Sequence, residues 1–553
     1  MIVAEAVGRA LVACGADTAF GVVGSGNFHV TNALVAGGAR FVAARHEGGA
    51  ATMADAYARM SGRVGIVSVH QGPGLTNAMT GLAEAAKSRT PLLVLAGEAT
   101  DPRSNFHIDQ DAMATAVGAV PMRVTSAGTA ARQAVEAYAA ARDHRRAVLL
   151  NLPLDVQGEP WPFTPPADDT DPTARAASVA GSSRGAGRAG GGGGEAELAR
   201  LLGEARRPVF IAGRGARHAR RELEALGDRA GALLATSAVA RGLFRGSAWD
   251  LDVSGGFATP LAAELIAGAD LVVGWGCALN MWTTRHGSLI PPGATVAQVD
   301  LDRAAIGTYV RADLAVVGDV AAVATALTPL VAAASGYRTP EVARRVRAEG
   351  RWRDVPYADE SGGGRIDPRT LSIGLDDLLP KERILAVDSG NFMGYPSMFI
   401  DVPDEGGFCF TQAFQSIGLG LATAIGAAVA RPDRLPVAAL GDGGLLMSLA
   451  ELETVVRLRL PMVIVVYDDE AYGAEVHHFG PHGHSLDTVT FPPADLAAIA
   501  RGHGFDAVTV TEAPHLAGVA AWLKGPRDRP LLVHAKVTRD RPSWWLEEAF
   551  KGH

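Results

Sequence analysis

The sequence predicts an α/β protein of three doubly wound parallel-sheet domains, and three observations carry that expectation. The chain has 553 residues, too many for one hydrophobic core when domains average roughly 150 residues. Short β-branched runs alternate with Ala- and Leu-rich stretches of helical length throughout, as in VGIVSV (64–69), PLLVLAG (91–97), PVFIAG (208–213), DLVVGW (270–275) and PMVIVVY (461–467). Near-continuous apolar strands separated by helices are the pattern of parallel sheets covered on both faces. The third observation is where the rhythm stops. From 161 to 195 the chain turns to Pro, Asp, Ala, Ser and Arg and ends in Gly190–Gly194, a composition that buries little apolar surface and reads as a flexible linker. A second break surrounds Ser361-Gly-Gly-Gly364. The expected division is a first unit at 1–160, the linker at 161–195, a middle unit at 196–335 and a last unit at 366–540.

Composition removes several function classes. The chain is 48% hydrophobic and 20% charged with a net charge of −8, so it presents no basic field for nucleic acid. Its three cysteines, Cys14, Cys277 and Cys409, are too few and too scattered for a disulfide framework or a zinc site, which favours a reducing, cytoplasmic address. The N-terminal MIVAEAVGRALVACGA carries Glu5 and Arg9 at helical spacing and no basic leader, so it reads as an amphipathic helix and not a signal peptide. No uncharged apolar run approaches the roughly 20 residues that span a bilayer.

The chemistry begins at Leu435–Leu440, an apolar strand that runs into Gly441-Asp442-Gly443-Gly444 and then into the helical stretch LLMSLAELETVVRL. A glycine turn lets backbone approach a phosphate, and the helix N-terminus behind it offers N–H donors. Alone, this pattern is equally an ordinary tight turn. After the next strand, PMVIVVY, comes Asp468-Asp469-Glu470-Ala471-Tyr472-Gly473. Strands of a parallel sheet end on one edge, so Asp442 and Asp469 are expected to converge there. Two carboxylates, one carbonyl and diphosphate oxygens suit octahedral Mg²⁺. Asp468 reads as a solvated turn carboxylate.

This constellation resembles the thiamine diphosphate motif, in which GDG is followed about 27 residues later by an Asn; here that Asn is Asp469. The resemblance implies Asp442 and Asp469 as side-chain Mg²⁺ ligands and Ala471 as the carbonyl ligand, with Gly441, Gly443, Gly444, Tyr472 and Gly473 around the diphosphate. A second signature lies in FVAARHEGGAATMADAYAR (41–59), followed by HQGPGLTN (70–77). An isolated Glu47 would be an ordinary N-terminal helix acid. RHEGGAA, however, resembles the pyrimidine-domain signature of the same family and implies that Glu47 bonds N1′ of the aminopyrimidine and so promotes loss of the thiazolium C2 proton. In TQAFQSIGLGLATAIGAA (411–428), the match implies that the Gln415 carbonyl and Ile417 N–H hold the pyrimidine edge, with Ile417 bending the cofactor. Ordinary core is the competing reading for Ile417.

The order pyrimidine-binding domain, middle Rossmann-like domain, diphosphate-binding domain is similar to acetolactate synthase, benzoylformate decarboxylase and pyruvate decarboxylase. It implies a homodimer or homotetramer acting on a small 2-oxo acid, since family sites form between the pyrimidine domain of one subunit and the diphosphate domain of another. Whether the carbon that loses CO₂ then meets a proton or a second carbonyl, from an aldehyde or another 2-oxo acid, separates decarboxylase from carboligase. FGVVGSGN (20–27) resembles the glycine loop of benzoylformate decarboxylase, with Ser25 at a substrate-contacting place and His70 where that enzyme has its catalytic His. His107 stands where lyases and synthases usually have Gln. Glu475 matches the acid/base Glu of pyruvate decarboxylase, although it has His477 and His478 as neighbours for pairing. Against these four side chains, the texture of HQGPGLTNAMTGLAEAAKSRTPLLVLAGE and VAQVDLDRAAIG (296–307) is most similar to the acetolactate synthase group. The expected activity is therefore acetolactate synthase-like carboligation, with 2-oxo acid decarboxylation as the alternative.

Three further features complete the reading. IAGRGARHA (211–219) has Gly213 and Gly215 but His218 in place of a third glycine, so FAD or another adenine nucleotide competes with a vestigial nucleotide fold. His477, His478, His482 and His484 lack regular metal spacing and read as an active-site lid. A catalytically silent scaffold relative would have lost Glu47 or Asp442, and both are present.

Overall fold

The structure is a computed structural model that describes residues 1–162 and 192–549. The expected linker therefore lies mostly outside the described residues, although the helix Gly192–Glu204 already starts inside the glycine run. Among the described residues, three six-stranded sheets form, all parallel, with helices on their faces.

The first sheet holds β1 (Thr18–Gly21), β2 (Arg40–Ala43), β3 (Gly65–Val69), β4 (Leu92–Glu98), β5 (Val120–Arg123) and β6 (Ala147–Pro153), in the order β2-β1-β3-β4-β6-β5. The central β3, β4 and β6 are buried at every residue, while the edge strands β2 and β5 are partly exposed. That is why the central strands read as unbroken apolar runs.

The middle sheet holds β7 (Pro208–Ala212), β8 (Leu233–Thr236), β9 (Asp250–Val253), β10 (Leu271–Trp275), β11 (Thr295–Asp300) and β12 (Leu314–Val317). Its order, β12-β11-β10-β7-β8-β9, reverses direction between β7 and β10, the switch point at which doubly wound sheets open a crevice. The last sheet holds β13 (Arg383–Val387), β14 (Phe408–Phe410), β15 (Leu435–Gly441), β16 (Val463–Asp468), β17 (Asp506–Val510) and β18 (Leu531–Lys536). Its order, β14-β13-β15-β16-β18-β17, repeats that of the first sheet strand for strand.

The first and last units share one core. Helix Glu47–Ser61 lies between helix Pro73–Lys87 and helix Gly420–Ala430, and residues from both units, such as Met53, Leu82, Leu421 and Leu452, join a single apolar cluster. The contact is made by small residues because the backbones nearly touch: a Cβ at Gly426 would lie 2.1 Å from the carbonyl oxygen of Met53. Packing of this density leaves no room for a larger side chain. No helix among the described residues is long and apolar enough to cross a membrane. All three cysteines are free thiols.

Candidate active site

β15 and β16 are neighbours, with Gly441 opposite Tyr467, so Asp442 and Asp468-Asp469 leave the same edge of the last sheet. Asp442 is the first residue of helix Asp442–Met447. This helix is shorter than the sequence suggested. A turn at 448–450 separates it from helix Glu451–Arg457, where the Ser448 hydroxyl donates back to the Gly444 carbonyl at 2.9 Å and competes with continued helical bonding.

The four acids of this edge fall into two pairs. Asp468, expected to be solvated, is instead 2% exposed and ion-paired to His534 at 2.6 Å and Lys536 at 2.7 Å. The register that sets Asp468 against Lys536 on β18 brings those cations to it, a tertiary contact with no local signal. Glu470 is likewise held by Arg365 at 2.6 Å, Arg539 at 2.8 Å and Lys536 at 3.1 Å. Asp442 and Asp469 are also buried, yet neither has an ion pair among the described residues. Burial pushes the Asp442 carboxyl up to about 8, with the charges of Asp469 and Asp468 adding to the effect. Burial pushes Asp469 up to about 7, with Asp468 again adding. Two buried carboxylates that repel each other and face no cation form the donor set a hard divalent ion would neutralise. Ala471 is fixed beside them, since it bridges Thr490 and the Tyr472 N–H bonds the Val489 carbonyl at 2.8 Å. Among the described residues no group of three or more His, Cys, Asp or Glu is placed to hold a metal, so the loop histidines 477, 478, 482 and 484 form no such cluster.

A cavity of about 1150 Å³ opens over this pair. Its wall includes Gln415, Ile417, Gly441, Gly443, Gly444 and Ala471, together with Tyr472, Gly473 and Glu475. Ile417 is 36% exposed, which removes the ordinary-core reading for it. Gln415 has a left-handed backbone, φ 62°, a conformation that costs a non-glycine residue about 1–3 kcal/mol. Glu475 stands in the first turn of helix Gly473–Phe479 and pairs with neither His477 nor His478; its carboxylate has no ion pair among the described residues.

The first unit carries the remaining candidates. Glu47 starts helix Glu47–Ser61 and accepts a bond from the Asn77 side chain at 3.0 Å. Nδ1 of His70 lies 3.1 Å from the Gly26 N–H. A backbone N–H can only donate, so a neutral His70 carries its proton on Nε2. Nδ1 of His107 lies 2.8 Å from the Ala99 carbonyl, which can only accept, so a neutral His107 carries its proton on Nδ1 and leaves Nε2 a lone pair. Phe106, the residue before His107, meets the His70 ring edge-on at 5.3 Å. Ser25 is exposed on the Gly24–Gly26 loop. Glu47, Ser25, His70 and His107 do not line the cavity that holds Asp442 and Asp469.

The cavity continues to the switch point of the middle sheet, past Arg214, Phe257, Cys277 and Trp282. Gly213 and Gly215 have a packing cause: a Cβ at Gly213 would lie 2.3 Å from the Gly276 carbonyl oxygen and 2.6 Å from Cys277 Cα. His218, the residue in place of the third glycine, bonds Asp319 at 2.9 Å.

Three contributors escaped the sequence reading. Asp388, at the end of β13, is fully buried and accepts the N–H groups of Gly418 at 3.0 Å and Leu419 at 3.2 Å; burial pushes its carboxyl up to about 6, against those bonds. Asn391 takes bonds from Ser543 and Trp545 near the C-terminus, at 2.7 and 2.8 Å on its carbonyl, and Trp545 closes the cavity. The available signal was AVDSGN (386–391), a strand running into a polar turn on the same sheet edge.

A parallel-sheet edge with two buried carboxylates that have no ion pair among the described residues, a glycine turn and a large cavity is where an α/β enzyme binds its ligand. The chain is matched by the family models for thiamine pyrophosphate enzymes: the N-terminal TPP binding domain over residues 1–118, the central domain over 196–327 and the C-terminal TPP binding domain over 388–535. It belongs to the thiamine diphosphate-dependent enzyme family. Similar curated proteins carry different activities in their names. A sulfoacetaldehyde acetyltransferase of Castellaniella defragrans is 29% identical over 92% of this chain and 88% of its own. The acetolactate synthase isozyme 2 large subunit of Escherichia coli is 28% identical over 98% and 97%. A probable 2-ketoarginine decarboxylase of Pseudomonas aeruginosa is 29% identical over 85% and 82%.

Proposed function

We propose that this enzyme acts on a 2-oxo acid with thiamine diphosphate and Mg²⁺, releases CO₂ and joins the remaining fragment to a second carbonyl, in the manner of acetolactate synthase. The observation that carries the metal-dependent reading is the contrast on one sheet edge: Asp468 and Glu470 are ion-paired, and Asp442 and Asp469 are left for a cation. When bound, thiamine diphosphate would supply a nucleophilic carbon and an electron sink for the charge left by CO₂. In this reading Asp442, Asp469 and the Ala471 carbonyl hold Mg²⁺, the glycine turn receives the diphosphate, Gln415 and Ile417 orient the pyrimidine, and Glu47 bonds its ring nitrogen. Carboligation is favoured by the resemblance along nearly the whole chain and by a cavity that runs beyond the cofactor loops to Phe257 and Trp282.

Because Glu47 does not line its own chain's cavity, the proposal requires a homodimer or a homotetramer, in which the first unit of one copy faces the last unit of another. Light scattering is expected to give a dimer or larger. A cytoplasmic address, in keeping with three free thiols, belongs to the same reading. For the middle unit, loop packing accounts for Gly213 and Gly215, so denatured enzyme is expected to release no flavin absorbance; release of FAD or another adenine nucleotide would instead assign phosphates to the Arg214 side of the cavity.

The second reading, a non-oxidative decarboxylase, is favoured by the opposite proton positions on His70 and His107, one a donor and one an acceptor at Nε2, which suit proton delivery to the substrate carbon. The discriminating experiment incubates enzyme with pyruvate, 2-oxobutyrate or benzoylformate, with and without acceptor aldehydes, and follows CO₂ and products by mass spectrometry. The expected product is a 2-hydroxyketone or acetohydroxy acid. Free aldehyde as the sole product throughout would establish the second reading in its place.

A further inference from the structure

The loop that presents Gln415 and Ile417 is pinned at both ends by buried carboxylates, each taking two consecutive backbone N–H groups. At its exit, Asp388 of the last unit accepts from Gly418 and Leu419. At its entry the carboxylate belongs to a different unit. Glu84, on helix Pro73–Lys87, accepts from Ala413 at 3.0 Å and Phe414 at 2.6 Å. Between these clamps only Gln415, Ser416 and Ile417 are left, and Ala413, Phe414, Gln415 and Ile417 are all exposed to the cavity side or solvent.

Glu84 is itself immobilised. It is fully buried, and Arg59 of helix Glu47–Ser61 donates to it at 2.7 Å while also pairing with Asp55 at 2.7 Å. The same Arg59 donates to the Phe410 carbonyl and the Ser88 hydroxyl. Three backbone groups of segment 410–414 are therefore held by two ionised side chains of the first unit. A carboxylate that accepts two N–H groups and a guanidinium has little freedom to tilt, and the next residue, Gln415, sits in the left-handed region that an unrestrained loop would leave.

We propose that Glu84, locked by Arg59, is a positioning residue for the cofactor loop: the first unit of each chain sets the geometry with which the last unit of that same chain presents Gln415 and Ile417. This rests on the reading that these two residues hold the cofactor pyrimidine. It adds a role for the first unit within its own chain, separate from the Glu47 half-site it would lend to another copy.

The test titrates thiamine diphosphate with Mg²⁺ into wild type, Glu84→Gln, Glu84→Asp and Asp55→Asn, and records cofactor dissociation constant, apo melting temperature, kcat and substrate KM. Asp55→Asn disturbs the same ion triad without touching the loop. Glu84→Gln replaces one acceptor by a donor facing an N–H, and Glu84→Asp keeps the charge but shortens its reach. Both Glu84 variants are expected to weaken cofactor binding at least tenfold with substrate KM little changed, while Asp55→Asn stays within about threefold of wild type at a comparable or larger loss of melting temperature. Equal weakening in all three would make Glu84 merely structural and overturn the proposal, as would wild-type affinity in a folded Glu84 variant. A wild type that binds no cofactor would instead defeat the functional reading beneath it. If neither Glu84 variant folds, hydrogen exchange on wild type decides: the amides of Ala413 and Phe414 are expected to exchange slowly despite their exposure, and fast exchange at both overturns the assignment.

Discussion

Replacing Asp442 with alanine is expected to abolish the rise in melting temperature that thiamine diphosphate with Mg²⁺ gives the wild-type enzyme. A ligand at 100 times its dissociation constant stabilises the folded state by about 2.7 kcal/mol, and that increment should vanish with the metal bridge. The apo proteins separate this from misfolding. In wild type Asp442 is buried, repelled by Asp469 and without an ion pair among the described residues, so its ionised form burdens the folded state. Removing it relieves that repulsion, and apo Asp442→Ala is expected to melt no lower than apo wild type above neutral pH. Differential scanning fluorimetry with and without cofactor and metal measures both quantities. A variant that keeps the full shift would remove Asp442 from the metal site.

Glu47→Gln is expected to bind cofactor nearly as wild type does and to lose activity by a factor on the order of 10²–10⁴, the range contributed by a positioned acid or base. Loss of deuterium exchange at the cofactor C2 position is the direct readout, and undiminished exchange would take Glu47 out of its role. The larger effect comes from mixing. Glu47 does not line the cavity around Asp442, and the proposed function places the two residues of one chain in the sites of different pairs of copies. Co-expressed Glu47→Gln and Asp442→Ala subunits should therefore form hybrids in which one site combines an intact Glu47 from one copy with an intact Asp442 from the other. Each variant alone is expected to be strongly impaired, and the hybrid is expected to recover activity. An inactive hybrid of confirmed composition would mean that the site is built within one chain.

The sequence by itself determined the fold class, because burial on both faces forces central strands such as β3, β4 and β16 into apolar runs that show without any partner in view. It also determined the edge on which Asp442 and Asp469 meet, since parallel strands end together whatever surrounds them. Tertiary structure decided which acids are free. Asp468, Asp469 and Glu470 are adjacent in the chain and alike in chemistry; the difference is that β18 and the segments carrying Arg365 and Arg539 bring cations to the first and third of them and none to the second. The same holds for Glu84 and Asp388, whose partners lie on a loop 329 and 30 residues away. Neighbours in sequence determine local conformation and periodicity, but ionisation and burial depend on charges that arrive through space, and those were settled only when the three sheets packed.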